Sequence, residues 1–258
     1  MKTEAEAALL YEVSDGIAYV TMNRPDRLNA IDGNLAERMH DAWERFEADP
    51  AARVAILSGR GRAFCAGQDI TPGALDESVP HQSHRAYPEN GKKVFKPIVS
   101  AIHGHVAGAG FSLGIRGADI TIAADTALIT FPEPRSGVPV PPIQYQPYLP
   151  FKISMEFMLL AWRGGKPINA QRAYHFGLVN AVVAEADLMK EAREWAELLM
   201  KIPSQYIKSL KYGHYQATET RMITHEREYF DYVHPQVTSG NAKEGLRAFL
   251  EKREPKFT

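Results

Sequence analysis

The chain has 258 residues, of which 45% are apolar, enough to fill a sizeable core. Thirty basic residues against thirty-one acidic ones leave a formal charge of −1; no long run of one sign interrupts the balance, which excludes nucleic acid and anionic membranes as main partners. A single cysteine, Cys65, excludes an internal disulfide and a multi-cysteine zinc cage, and with no apolar leader or membrane-length run in the sequence the expected location is cytoplasmic.

Gly16 to Pro25 (GIAYVTMNRP) predicts a strand that stops at a proline turn, because β-branched and aromatic residues give way to a polar cluster. Leu35, Met39, Ala42, Trp43 and Phe46 recur at helical spacing, so a helix should run from Asn34 to Asp49 with Asp32 or Asn34 as its N-cap. Val54 to Gly59 (VAILSG) then reads as a buried parallel strand completing a βαβ unit. The polar stretch Thr71 to Asn90 has no period and is expected to be a mobile loop; its His81 and His84 lack a third ligand at useful spacing, so no metal is expected. Pro97 to Ile102 predicts a strand, Gly108 to Arg116 a helix opened by glycine, and Asp119 to Ala123 another strand. Beyond Pro150 the pattern turns helical: ISMEFMLLAW, then NAQRAYHFG with Asn169 as cap and Gly177 as stop, a short strand LVNAVV, and an amphipathic helix over Asp187 to Lys201. Most of the last sixty residues read as helix, with Tyr229, Phe230 and Tyr232 suited to packing on the core or on another subunit.

The segment Gly104 to Ile120 (GHVAGAGFSLGIRGADI) admits three chemistries. Gly110-Phe-Ser112-Leu-Gly114 fits the G-x-S-x-G elbow of serine hydrolases, with Asp187 and His234 following in order, although the elbow needs an apolar strand running straight into the serine. The spaced glycines 108, 110 and 114, with Tyr148-x-x-x-Lys152, suggest a dinucleotide enzyme, although Pro150 falls where that pair needs a helix. In the third reading the glycines open a helix whose unpaired amides face an anion such as an enolate oxygen. Close packing of a helix on a sheet would select the same small residues.

Six segments in order break the tie. NRPDRLNAID (Asn23 to Asp32), AFCAGQDI (Ala63 to Ile70), KPIVSAIHGHVAGAGFSLG (Lys96 to Gly114), FPEPRSGVP (Phe131 to Pro139), NAQRAYHFGLVNAVV (Asn169 to Val183) and AFLEKREPKF (Ala248 to Phe257) together resemble the enoyl-CoA hydratase/isomerase, or crotonase, superfamily. The resemblance covers nearly the whole chain. It implies an α/β fold, a crotonase-like spiral of ββα units over residues 1–195 that carries the CoA and oxyanion site, followed by a helical C-terminal trimerisation region over 196–258. It also implies a homotrimer or dimer of trimers, an acyl-CoA thioester substrate in fatty acid or aromatic acid metabolism, and no cofactor beyond the CoA of the substrate.

The resemblance assigns the oxyanion hole to the amides of Ala66 and Ala109. It assigns CoA and substrate contacts to Arg27, Leu28, Ala30, Ala66, Gln68, Asp69, Ile70, Gly108, Ala109, Pro132, Glu133 and Lys256, with Lys252 a further phosphate candidate. Family hydratases resemble one another in carrying two glutamates; here the first position is Ser112 and the second is Glu133, which leaves Glu133 and Ser112 as the catalytic candidates. A single carboxylate suits removal and return of one proton, as in double-bond isomerisation. The expected function is therefore hydration or isomerisation of an enoyl-CoA through a thioester enolate. A hydratase-lyase or hydrolase acting on an aromatic or cyclic acyl-CoA is the alternative, since GVPVPPIQYQPYLPF brings Tyr145, Tyr148 and Phe151 toward the expected acyl pocket. A serine hydrolase using Ser112 and a noncatalytic CoA-binding protein stand as readings of other classes.

Overall fold

The computed structural model describes residues 7–71, 85–88, 93–136, 149–216 and 239–257. His81, His84, Tyr145, Tyr148, Tyr229, Phe230, Tyr232 and His234 lie outside them, as does most of the expected loop after Thr71.

The described residues within 1–129 and 169–211 form one compact unit, and those within 130–168 and 212–258 form a second. In the first unit, β1 (Leu9–Ser14) pairs antiparallel with β2 (Ile17–Met22) across Asp15 and Gly16, both at positive φ, as a two-residue hairpin turn requires. From β2 the sheet is parallel, through β3 (Val54–Gly59), β5 (Ile98–Ile102), β7 (Ile120–Ala124) and β10 (Ala181–Val183), in the order β1-β2-β3-β5-β7-β10. A strand buried on both faces reads as a continuous apolar run, and five of the six residues of VAILSG are buried. Helix α1 (Gly33–Ala48) is capped as expected by Asp32, whose carboxylate accepts the Leu35 amide at 2.8 Å, and buries Leu35, Met39, Trp43 and Phe46. Helix α6 (Leu188–Leu199) lays Leu188, Ala192 and Ala196 on Ile17, Val54, Ile56, Val99 and Ile122.

Three short strands were not foreseen: β4 (Ala63–Cys65), β6 (His105–Ala107) and β8 (Leu128–Thr130), which lie side by side in that order in a second sheet continued by β9 (Ile168–Asn169). The expected helix over Gly108 to Arg116 is a single turn, α2 (Ala109–Phe111), followed by a wider π turn over Ser112–Arg116. Helix α5 (Ala170–His175) has its expected cap, Asn169 Oδ1 accepting the Arg172 amide at 2.9 Å, and its glycine stop, Gly177 at φ 75°. A further helix, α7, occupies 204–216. The second unit contains α3 (Glu133–Ser136), α4 (Phe151–Leu160) and α8 (Gly240–Leu250). Among the described residues no helix is long and apolar enough to cross a membrane.

Candidate active site

In the first unit, β4 and β6 end side by side and two loops leave them together. After β4 the chain passes Ala66 and Gly67; after β6 it passes Gly108 into α2. Gly67 stands at φ 96°, and a Cβ placed on it would lie 2.9 Å from the Ala107 carbonyl oxygen and 3.5 Å from the Ala109 amide nitrogen. Only glycine permits that approach. Gly108, at φ 48° and ψ −113°, makes the turn that aims α2. Gly110 and Gly114 serve packing instead: a Cβ on the first would meet Cys65 O at 2.4 Å, and on the second the Phe64 ring at 2.4 Å. Close packing thus accounts for Gly110 and Gly114, and backbone conformation for Gly67 and Gly108.

Ala109 begins its helix, and its amide has no acceptor among the described residues. The Ala66 amide donates to Leu28 O at 2.9 Å. As an oxyanion donor it would first have to release that carbonyl, so the assignment to Ala66 conflicts with the geometry.

The segment 24–32 is sewn onto this loop. Leu28 and Asn29 both adopt left-handed backbone, at φ 52° and 54°. Asn29 is fully buried; its Nδ2 donates to Arg60 O at 2.9 Å and Ala63 O at 2.8 Å, while its Oδ1 accepts the Arg24 amide at 2.8 Å. Ile31 N donates to Gly67 O and Asp69 N to Ile31 O, bracketing Gln68 in a parallel bridge. Arg24 reaches Asp32 at 2.8 Å and Asp69 at 3.2 Å. Burial pushes the Asp69 carboxyl up, but hydrogen bonds from the Thr71 amide and hydroxyl and from Arg24 outweigh it and hold the group below its usual value. Asp69 is thus a loop-holding carboxylate in this structure, while Arg27 is exposed and Leu28, Ala30, Gln68 and Ile70 are partly exposed along the same ladder. The burial of Cys65 pushes its thiol up to about 12, leaving it a packing residue.

Ser112 is buried, inside the π turn and beyond the turn that follows β6. A nucleophile elbow requires its serine on the turn itself, a place taken here by Gly108. The same glycines follow the sixth strand of the chain, not the first, which removes the dinucleotide reading.

In the second unit Glu133 opens α3, with Pro132 just before it. The residue as a whole is partly exposed, yet its Oε2 is sealed from solvent and has no hydrogen-bond partner among the described residues. Burial drives the carboxyl from its ordinary value of 4.5 to about 7, against the smaller opposing pull of its own backbone amide. Lys256 is exposed, and its amide donates to Glu244 at 2.9 Å. Among the described residues no group of three or more His, Cys, Asp or Glu is arranged to hold a metal ion.

A family described as Enoyl-CoA hydratase/isomerase matches residues 12–258. Carnitinyl-CoA dehydratase of Proteus mirabilis (strain HI4320) is 34% identical over 249 residues, covering 92% of this chain and 93% of its own. 1,2-Epoxyphenylacetyl-CoA isomerase of Escherichia coli (strain K12) is 28% identical, covering 97% and 98%. A crystal structure of carnitinyl-CoA hydratase from Mycobacterium avium superposes with a TM-score of 0.84 at 28% identity, covering 98% of this chain and 99% of that one.

Proposed function

Because the chain belongs to the enoyl-CoA hydratase/isomerase family, its fold is the crotonase fold and it is an acyl-CoA enzyme of hydratase/isomerase type, we propose that it moves a proton at the α-carbon of an acyl-CoA thioester through one carboxylate, Glu133. The observation that carries this reading is the sealed, unpartnered Oε2 of Glu133, held near neutrality by burial. A carboxylate with a pKa near the working pH is both a competent base and a competent acid. In the first step the α-C–H bond breaks, its proton passes to Glu133 and its electron pair moves into the thioester to give an enolate. In the second step an isomerase returns the proton from Glu133 to the γ-carbon, whereas a dehydratase expels the β-oxygen substituent, which takes up the proton and leaves as water.

The enolate oxygen needs donors. One is the Ala109 amide, at the start of a helix beside Gly67. The Ala66 amide could join it only by giving up its bond to Leu28 O. Each well-placed donor in such a hole lowers the barrier by about 3 kcal/mol. Arg27, Leu28, Ala30, Ile70 and Lys256 remain candidates for contacts along the CoA moiety. Ser112, buried and without a carboxylate's basicity, is assigned no proton-transfer step.

The relatives' names point to hydroxyacyl and aromatic acyl thioesters, and both belong in the test. The enzyme and Glu133→Gln are incubated in deuterated water with a panel of enoyl-CoA, 3-hydroxyacyl-CoA and aromatic acyl-CoA thioesters, and label position and products are read by mass spectrometry. The wild-type enzyme should exchange or transfer the α-proton, and Glu133→Gln should lose about 10²- to 10⁴-fold. Undiminished exchange in the variant would remove Glu133 from the mechanism.

A further inference from the structure

The first half of α3 carries Glu133, and within the second unit the end of α3 lies directly against the backbone of α8 at Gly245. A Cβ on Gly245 would lie 2.3 Å from the Ser136 carbonyl carbon, 2.4 Å from its oxygen and 2.8 Å from its Cα. The obstacle is main chain and cannot rotate aside. Gly245 is buried in α8 between Ala242 and Ala248, which are buried too, so the face turned inward is built from the smallest residues. The remaining bonds around the turn are supportive: Arg135 pairs with Glu254 just beyond α8 and lies 4.7 Å over the Trp162 ring, while the Phe131 amide donates to Ala161 O at 2.7 Å and its ring packs 5.3 Å from Phe157 of α4. Arg253 pairs with both Glu244 and Glu251, the latter shared with Arg247, and so ties the tail bearing Glu254 to α8.

We infer that Gly245 is a positioning residue for the proton-transferring carboxylate: helix α8 sets the location of the Glu133 turn by direct backbone contact at Ser136, and Arg135 keeps that turn in register. The inference rests on the reading of Glu133 as the proton carrier. An added methyl at Gly245 must part the two backbones by about 1 Å to reach ordinary contact, and a misplacement of that size in a reacting group costs up to about 10²-fold in rate. The thioester binds through other residues, so the loss belongs in kcat and not in KM or ligand affinity.

The experiment compares wild type, Gly245→Ala, Gly240→Ala, Arg135→Leu and Glu133→Gln, with the thioester of the panel above that the wild type turns over fastest. Gly240→Ala is the control on the same helix, since a Cβ there meets nothing within 4 Å. Steady-state kcat and KM are measured with the red shift of a bound conjugated dienoyl-CoA, which reports polarisation of the thioester carbonyl. Expected are an at least ten-fold fall in kcat for Gly245→Ala with KM and red shift unchanged, a smaller fall for Arg135→Leu, and wild-type values for Gly240→Ala. Wild-type kcat in Gly245→Ala, with Glu133→Gln inactive, would overturn the inference and leave the reading of Glu133 intact. An active Glu133→Gln would sink that reading itself. If Gly245→Ala does not fold, Arg135→Leu decides, and unchanged kcat there overturns the inference.

Discussion

Glu133 combines two properties that ordinarily exclude one another, a buried carboxylate oxygen and, among the described residues, no partner to hold it. The folded chain binds its proton more tightly than the unfolded chain does, so the sign of the linkage follows. Below about pH 4.5 the group is neutral in both states; as pH rises toward about 7 the unfolded state alone ionises, and stability falls. Above that range the loss is constant, at about 3 kcal/mol for a shift of this size. Urea unfolding at pH 5 and pH 8 should therefore show Glu133→Gln gaining stability over the wild type chiefly at pH 8. An equal difference at both values would mean that no charge is being buried. In the proposed mechanism the same titration acts on catalysis in the opposite sense. If Glu133 begins the cycle as a base, kcat rises through about pH 7 to a plateau. A function that costs stability where it is needed is the usual mark of an active-site group.

The element that the site depends on most is the stretch 24–32, whose polar residues are spent on structure. Asn29 holds two main-chain carbonyls and one amide with a single side chain while standing at φ 54°, a backbone that asparagine tolerates better than most residues. Asn29→Ala strands two carbonyls and adds backbone strain, and should cost about 2–4 kcal/mol in thermal or urea unfolding. Asn29→Asp keeps the acceptor for the Arg24 amide but turns a carboxylate toward two carbonyl oxygens, so it should be no better than alanine. A cost below 1 kcal/mol for both would show that Leu28 and the ladder to Gly67 hold the loop without it. The loop after β4 would then owe its shape to Leu28, Arg24, Asp69 and the Ile31 bridge.

At the scale of the whole molecule, large apolar side chains remain in solvent on the helices near the C-terminus. On α7, Tyr206 and Leu210 sit one turn apart at 59% and 58% exposure. A stripe of that kind on one helix face is more apolar than a surface without a partner tends to be. We expect the chain to assemble as three or six copies, with this face inside an interface. Light scattering coupled to gel filtration should give a mass of three or six chains for the wild type and a smaller species for the double variant Tyr206→Glu with Leu210→Glu. A monomeric wild type would refute the assembly, and an unchanged double variant would move the interface elsewhere.

Elements governed by local periodicity were legible before any coordinates existed. VAILSG, the Asp32-capped α1, the Asn169 cap and the Gly177 stop depend on residues within a few positions of one another, and each stands where the pattern put it. The turn Asp15-Gly16 was an equally strong local signal for the β1–β2 hairpin and went unread. The three-residue strands β4, β6 and β8 had no such signal, because strands that short are defined by the partner beside them and not by their own sequence. At the site, order and spacing of six segments were enough to identify the family and the helix start after Gly108. Which amides stay available was not: an amide hydrogen bond is a choice of partner across the fold, and only the tertiary structure shows Ala66 committed to Leu28, 38 residues away, and Gly67 pressed against the turn into α2. The close approach of Gly245 to Ser136 is likewise packing between residues more than a hundred positions apart, which no local pattern of charge or hydropathy encodes.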